Sequence, residues 1–212
     1  MDDELRTLGL KLFDVGCFLD KKKSPEGKGF RLKLHEKNPD APLSPFYLNL
    51  RTSDTPKPGP LTPALVNRVG QALWGLARRY RVRCQRVVGV PQAGDPFAVA
   101  ISQHAGIPLL RLEKEEKEGA RRVTETVRGT WLRGDEALVV DDLITKAESK
   151  LETIRALANV EIMTRAVVVI VDREQGGAKE LWDAGYPFFA LFTLTELLAL
   201  FVAEGRLLPA ER

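Results

Sequence analysis

The chain has 212 residues, 44% of them hydrophobic and 29% charged, with a net charge of +3. That composition suits one folded domain with a small extension and excludes a disordered chain. It also excludes a strongly basic nucleic-acid binder, so any anion site must come from local clusters.

Apolar side chains at Leu5, Leu8, Leu12, Val15 and Leu19 predict a helix over residues 4–19. The acidic start, Met1 to Glu4, lacks the basic region of a signal peptide. Residues 21–29 follow as a polar, Pro- and Gly-bearing loop whose lysines read as a solvated turn. Alternation predicts strands at residues 30–34 and 46–50, paired as a small hairpin. Residues 52–63 hold Pro56, Pro58, Pro60 and Pro63 and mark a boundary, dividing the chain into an N-terminal part, 1–60, and a core, 61–212.

From there strands and helices alternate. Helices are expected at residues 65–80, 97–105 (ended by Gly106), 149–157 (capped by Ser149), 178–184 and 194–203. Strands are expected at 86–90, 109–112, 137–140, 166–171 and, as an edge, 188–191. This order predicts an α/β fold, a mostly parallel sheet flanked by helices. Ligands of such sheets bind beyond the carboxyl ends of the strands. Those ends are residues 89–94, 113–122, 141–148 and 172–177, expected to meet in one crevice.

Each loop admits more than one reading. Gly89 and Gly94 permit a close approach of backbone to an anion, or simply a tight turn. Residues 113–122, with Lys114, Lys117, Arg121 and Arg122, form either an exposed charged face or a mobile lid over a polyphosphate. Asp141 and Asp142 end a buried strand and precede Thr145. They suit a metal, a turn cap or, with the helix start behind them, a sugar phosphate. Arg173 is either half of a surface ion pair or a bidentate carboxylate ligand. Cys17 and Cys84 read as reduced thiols, and no apolar run approaches the about 18 residues of a membrane span, so a soluble cytoplasmic protein is expected.

The stretch V-V-D-D-L-I-T-K-A-E-S-K-L-E-T-I, residues 139–154, resembles the phosphoribosyl-diphosphate motif of type I phosphoribosyltransferases. D-R-E-Q-G-G, residues 172–177, resembles the orotate-specific members of that family. F-R-L-K at 30–33 with S-P-F-Y-L-N-L-R at 44–51 is similar to their N-terminal hood. G-V-P-Q-A-G-D-P at 89–96 is similar to their pyrophosphate-side loop, and E-K-E-E-K-E-G at 113–119 to their mobile loop. The resemblance covers roughly residues 8–200.

It implies a type I phosphoribosyltransferase-like fold with a hood. It implies transfer of 5-phosphoribosyl from phosphoribosyl diphosphate to orotate, with Mg2+ accompanying the diphosphate, in a cytoplasmic homodimer that engages neither nucleic acid nor membrane. By the same resemblance Asp141 and Asp142 hold the ribose hydroxyls. Thr145, Lys146, Ala147, Glu148 and Ser149 cradle the 5′-phosphate, and Lys114 and Lys117 meet the pyrophosphate. Arg173 takes the orotate carboxylate, while Lys33 and Tyr47 enclose the base.

The chain departs from the family pattern at Glu113, where an arginine is expected, at Ala147, where a glycine is, and in having no histidine in the mobile loop. A catalytically weakened homologue that binds a nucleotide or phosphoribosyl diphosphate as a regulator is therefore the alternative, as is a transferase for another base.

Overall fold

A computed structural model describes residues 1–32, 35, 38–54, 58–117 and 120–208, and within it residues 113–125 as backbone alone. The chain falls into two units, Met1–Leu61 with Leu198–Arg212, and Thr62–Leu197.

In the first unit, helix α1 spans Asp3–Asp14. The Asp2 carboxylate caps it by accepting the Leu5 N–H at 2.9 Å, and Leu8 and Leu12 are buried. The helix stops five residues short of the predicted end. Gly16 takes a left-handed conformation (φ 88°), which reverses the chain into strand β1, Phe18–Asp20. The expected hairpin is also corrected. Strand β2, Phe46–Leu48, pairs antiparallel with β1, matching Phe18 to Leu48 and Asp20 to Phe46. Phe30 makes only a single bridge, to Ser44. Pro42 and Pro45 lack the N–H groups that a longer ladder on that side requires. Lys33 and Leu34, the last two residues of that predicted strand, lie outside the described residues. The aromatic centre of this unit is Phe18, whose ring lies 5.1 Å from both Phe46 and Phe201.

The second unit opens with α2, Pro63–Arg79. Thr62 caps it, its hydroxyl accepting the Leu65 N–H at 3.3 Å, and Pro63 sits at the first turn, where its missing N–H costs nothing. Strands β3 (Arg86–Gly89), β4 (Leu109–Lys117), β5 (Ala120–Arg128), β6 (Glu136–Ile144), β7 (Met163–Asp172) and β8 (Phe188–Thr193) form one sheet. Its order is β5-β4-β3-β6-β7-β8. Only β5 runs antiparallel to its neighbour.

Helices α3 (Asp95–Ala105), α4 (Glu148–Asn159), α5 (Gly177–Asp183) and α6 (Leu194–Ala203) complete the chain. The central strands are nearly continuous apolar runs because helices cover both faces. Val139, Val167 and Val169 cluster with Ile154 and Leu157 of α4 and Leu181 of α5. α2 and α3 pack against each other so closely that a Cβ on Gly70 would stand 2.5 Å from that of Ala100.

Residues 113–122, expected as a lid loop, are instead largely ladder. β4 and β5 pair from Arg111–Arg128 to Lys117–Ala120, with a register shift between Leu112 and Lys114. A run of charged residues hides such a strand from a hydrophobic pattern, because the backbone hydrogen bonds that pair it leave no mark on the sequence.

Candidate functional site

β3, β6 and β7 are parallel neighbours, so their carboxyl ends and the loops that follow lie side by side. The direction of winding reverses between β3 and β6, the position at which open α/β sheets form a crevice.

At the β3 end, Gly89 and Gly94 serve close packing. A Cβ on Gly94 would stand 2.1 Å from the Val140 carbonyl, and one on Gly89 2.6 Å from Asp95. The peptide between Pro91 and Gln92 is cis.

At the β6 end the strand runs on through both carboxylates to Ile144, so the acidic pair belongs to the strand and not to the loop. Asp141 is buried, 4% exposed. Its Oδ2 lies 2.6 Å from Lys150 Nζ, and its Oδ1 accepts the Asp142 N–H at 2.9 Å. Asp142 is half-buried, and its Oδ1 accepts the Leu143 N–H at 2.7 Å.

Helix α4 begins one residue earlier than predicted, and Ser149 does not cap it. Ala147 is the N-cap residue. The Glu180 carboxylate caps the helix from α5 instead, accepting the Ala147 N–H at 2.8 Å. Ala147 is buried with φ −83°, a conformation any residue adopts, so alanine is unstrained there. Lys146 and Glu148 are exposed, and Thr145 and Ser149 half-buried. Lys146 Nζ lies 3.3 Å from Glu180. That backbone hydrogen bond and then the Lys146 ammonium hold the Glu180 carboxyl below its ordinary value.

At the β7 end, Arg173 donates its backbone N–H to the Ile144 carbonyl at 3.0 Å, which joins this loop to the phosphate-loop candidate. Arg173 is 8% exposed, and burial lowers its guanidinium pKa, though an arginine stays charged. The Asp172 carboxylate accepts the Glu174 N–H, and Glu174 in turn accepts the N–H and hydroxyl of Thr195. Gly176 has φ 94°, and Gly177 donates to the Thr145 carbonyl at 3.0 Å.

The structure thus brings Asp141, Asp142, the residues from Thr145 to Ser149, and Arg173 to one end of one sheet. Lys114 and Lys117 lie on β4, and their side chains are outside the description. Tyr47 lies on β2 in the N-terminal unit, stacked on Phe30 at 5.6 Å. Two residues escaped the sequence reading. Lys150 had a usable signal, since it shares the buried face of α4 with Thr153, Ile154 and Leu157. Glu180 had none, because its role depends on which loop α5 faces. Among the described residues no group of three or more His, Cys, Asp or Glu could hold a metal ion. A surface groove lined by Arg133, Ile154, Met163, Thr164 and Tyr186 lies at the opposite end of the strands, away from all these residues.

An open α/β sheet with carboxylates and a helix start beyond its carboxyl ends has the arrangement in which such sheets bind phosphate-bearing ligands. The chain belongs to the phosphoribosyltransferase family, matching the phosphoribosyl transferase domain over residues 62–186. It is 30% identical over 165 residues to uridine 5′-monophosphate synthase of Bos taurus, covering 77% of this chain and 32% of that one. It is 27% identical over 156 residues to orotate phosphoribosyltransferase of Caenorhabditis elegans, covering 74% and 65%. The chain therefore spans less than two thirds of the length of these relatives. Among solved structures, UMP synthase of Leishmania donovani superposes with a TM-score of 0.74 at 27% identity, over 97% of this chain and 40% of that one. Orotate phosphoribosyltransferase of Aeropyrum pernix shares the fold, with a TM-score of 0.72 at 22% identity over 93% and 98%. No helix among the described residues is long and apolar enough to cross a membrane.

Proposed function

We propose that the chain is an orotate phosphoribosyltransferase, transferring 5-phosphoribosyl from phosphoribosyl diphosphate to N1 of orotate and releasing pyrophosphate, the step that makes orotidine 5′-phosphate in pyrimidine biosynthesis. The observation that supports this reading is the backbone bond from the Arg173 N–H to the Ile144 carbonyl, which joins the loop of a buried arginine to the end of the acidic strand. The names of the relatives support it, and one solved orotate phosphoribosyltransferase with this fold is a complex with phosphoribosyl diphosphate.

The chemistry suits these residues. Breaking the bond between C1′ and pyrophosphate leaves positive charge on the sugar, which the carboxylates at the end of β6 stabilise. Residues Thr145 to Ser149, at the start of α4, receive the 5′-phosphate. Arg173 fixes the orotate carboxylate with two parallel hydrogen bonds. Lys114 and Lys117 offset the charge of the leaving pyrophosphate, and Lys33 and Tyr47 close over the base. Mg2+ arrives with the diphosphate. It favours one or two carboxylates together with substrate oxygens, and Asp142 is the half-buried carboxylate at that strand end. The resemblance also argues for a homodimer, testable as a solution mass twice the 23.6 kDa of one chain. Two free cysteines, Cys17 and Cys84, favour a reducing cytoplasm.

One observation favours a second reading. The Glu180 carboxylate occupies the Ala147 N–H, a donor that a bound phosphate would use. A homologue with a self-occupied phosphate loop would bind weakly and act as a regulator. The discriminating experiment supplies purified protein with phosphoribosyl diphosphate, Mg2+ and orotate and follows the loss of orotate absorbance. Turnover supports the enzyme. Binding of the diphosphate without turnover selects the regulator, and turnover with uracil or a purine but not orotate selects another base.

A further inference from the structure

The register of β7 and β8 pairs Asp172 with Thr193, so the residues two further along from each, Glu174 and Thr195, leave the sheet side by side. They are joined there. Glu174 Oε2 accepts the Thr195 N–H at 2.8 Å and the Thr195 hydroxyl at 2.6 Å. The anchor is itself fixed. The Thr193 hydroxyl accepts the Glu196 N–H at 3.1 Å and the Glu196 carboxylate accepts the Thr193 N–H at 2.8 Å, a reciprocal pair that closes the first turn of α6. Glu174 has φ 58°, a left-handed conformation that a glutamate rarely adopts, and its N–H donates to the Asp172 carboxylate at 2.8 Å. Arg173 stands between two attachments. Its own N–H bonds the Ile144 carbonyl at the end of β6, and the residue after it is tied to the start of α6.

We propose that Glu174 is a positioning residue for base recognition: it braces the arginine loop against α6, so that Arg173 meets the carboxylate of the base in one preset geometry. The proposal rests on the reading of Arg173 as the orotate ligand. Its physical basis is preorganisation. A bidentate contact is strong only when the guanidinium plane is already aligned, and a loop free to turn at Glu174 would have to be ordered by the substrate. Glu174 and Thr195 are both exposed, and contacts between exposed residues add little to global stability. A disfavoured backbone conformation clamped at such a place serves the loop rather than the core.

The test uses the full chain, with orotate and phosphoribosyl diphosphate each varied in steady-state kinetics and thermal unfolding measured alongside. Calorimetry gives the orotate affinities of the same proteins, which do not depend on turnover. Glu174→Gly removes the carboxylate and suits the left-handed backbone, so it separates the clamp from strain. Glu174→Gln keeps an acceptor, and Thr195→Val removes one of the two donors. Glu174→Gly is also combined with Arg173→Ala, because a residue that acts through Arg173 has nothing left to position once that guanidinium is gone.

Glu174→Gly is expected to raise the KM for orotate about tenfold, the worth of a hydrogen bond to a charged group, with the KM for phosphoribosyl diphosphate within about twofold and the melting temperature nearly unchanged. Glu174→Gln is expected to keep most of the wild-type KM, Thr195→Val to raise it about threefold, and Glu174→Gly to add nothing to Arg173→Ala. An orotate KM unchanged in Glu174→Gly overturns the proposal. So does an equal rise in both KM values, or an effect of Glu174→Gly that persists in full without Arg173. If Glu174→Gly fails to fold, Thr195→Val carries the test, and an orotate KM equal to that of wild type then overturns the proposal. Wild type that binds orotate without turnover overturns the enzymatic reading alone, and the affinity ratios decide the role of Glu174. Wild type that does not bind orotate overturns both.

Discussion

Glu180 Oε2 accepts the backbone N–H of Ala147 at 2.8 Å, so a carboxylate from α5 caps the helix whose start is the phosphate-loop candidate. An anion is what the N-terminus of α4 attracts, and the chain supplies one of its own. Glu180→Gln keeps an acceptor for that N–H and removes the charge. Phosphate monoesters should then bind on the order of threefold tighter, because a partly exposed charge repels them through a high effective dielectric. A titration with ribose 5-phosphate measures this, and unchanged or weaker binding would refute it. The pKa of Glu180 is lowered, so the stability it adds is present above the ordinary value of 4.5 and lost as pH falls through the lowered value. The melting difference between wild type and Glu180→Gln should therefore close in acid.

Under the proposed function Arg173, a buried residue whose backbone N–H bonds the Ile144 carbonyl, is the ligand of the orotate carboxylate. Arg173→Ala should raise the KM for orotate by about tenfold to a hundredfold, the worth of a charge-assisted bidentate contact, with the KM for phosphoribosyl diphosphate little changed. Steady-state kinetics with each substrate varied separates the two. An unchanged KM for orotate would place the base elsewhere.

Two glycines make opposite predictions. Gly94→Ala puts a methyl group 2.1 Å from the Val140 carbonyl, where backbone must shift, and should cost about 1 to 3 kcal/mol. Gly75 lies exposed in the interior of α2 with nothing within 4 Å of an added Cβ. Gly75→Ala should stabilise by about 0.5 to 1 kcal/mol, since alanine is the better helix former. Denaturant titration of both variants tests the pair.

Burial pushes the Cys17 thiol up to about 12 and the Cys84 thiol up to about 11. Both are raised above the ordinary 9.0, so the stability they contribute is full below pH 9 and is lost as pH rises through the folded values. At pH 8 neither is a thiolate in the native protein. An aromatic disulfide reagent should label both slowly in the native state and rapidly once the chain is unfolded. Fast labelling of the native protein would contradict their burial.

Much of the second unit was legible because its signals are local. Val139 and Val140 read as a buried strand, Gly106 as a helix stop and the run from Ala166 to Val171 as a central strand, and each stands so, because one strand or helix carries its own period and its own punctuation. The same locality placed Asp141, Asp142, Thr145 and Arg173 at strand ends, and parallel pairing then made those ends neighbours.

What periodicity cannot carry is the identity of a partner. The sequence by itself determined the alternation of strand and helix and the chemistry stored at the ends of β6 and β7. It did not show that β2 pairs with Phe18–Asp20, because alternation identifies a face and not a neighbour. It did not show the β4–β5 ladder, whose run of charged residues carries no hydrophobic alternation to read. Nor could it show that Lys150 holds Asp141 or that Glu180 holds Ala147. Those contacts exist only after α4 and α5 have docked on the sheet, because removal from water is what forces a buried charge or N–H to find a partner, and the nearest partner is set by packing.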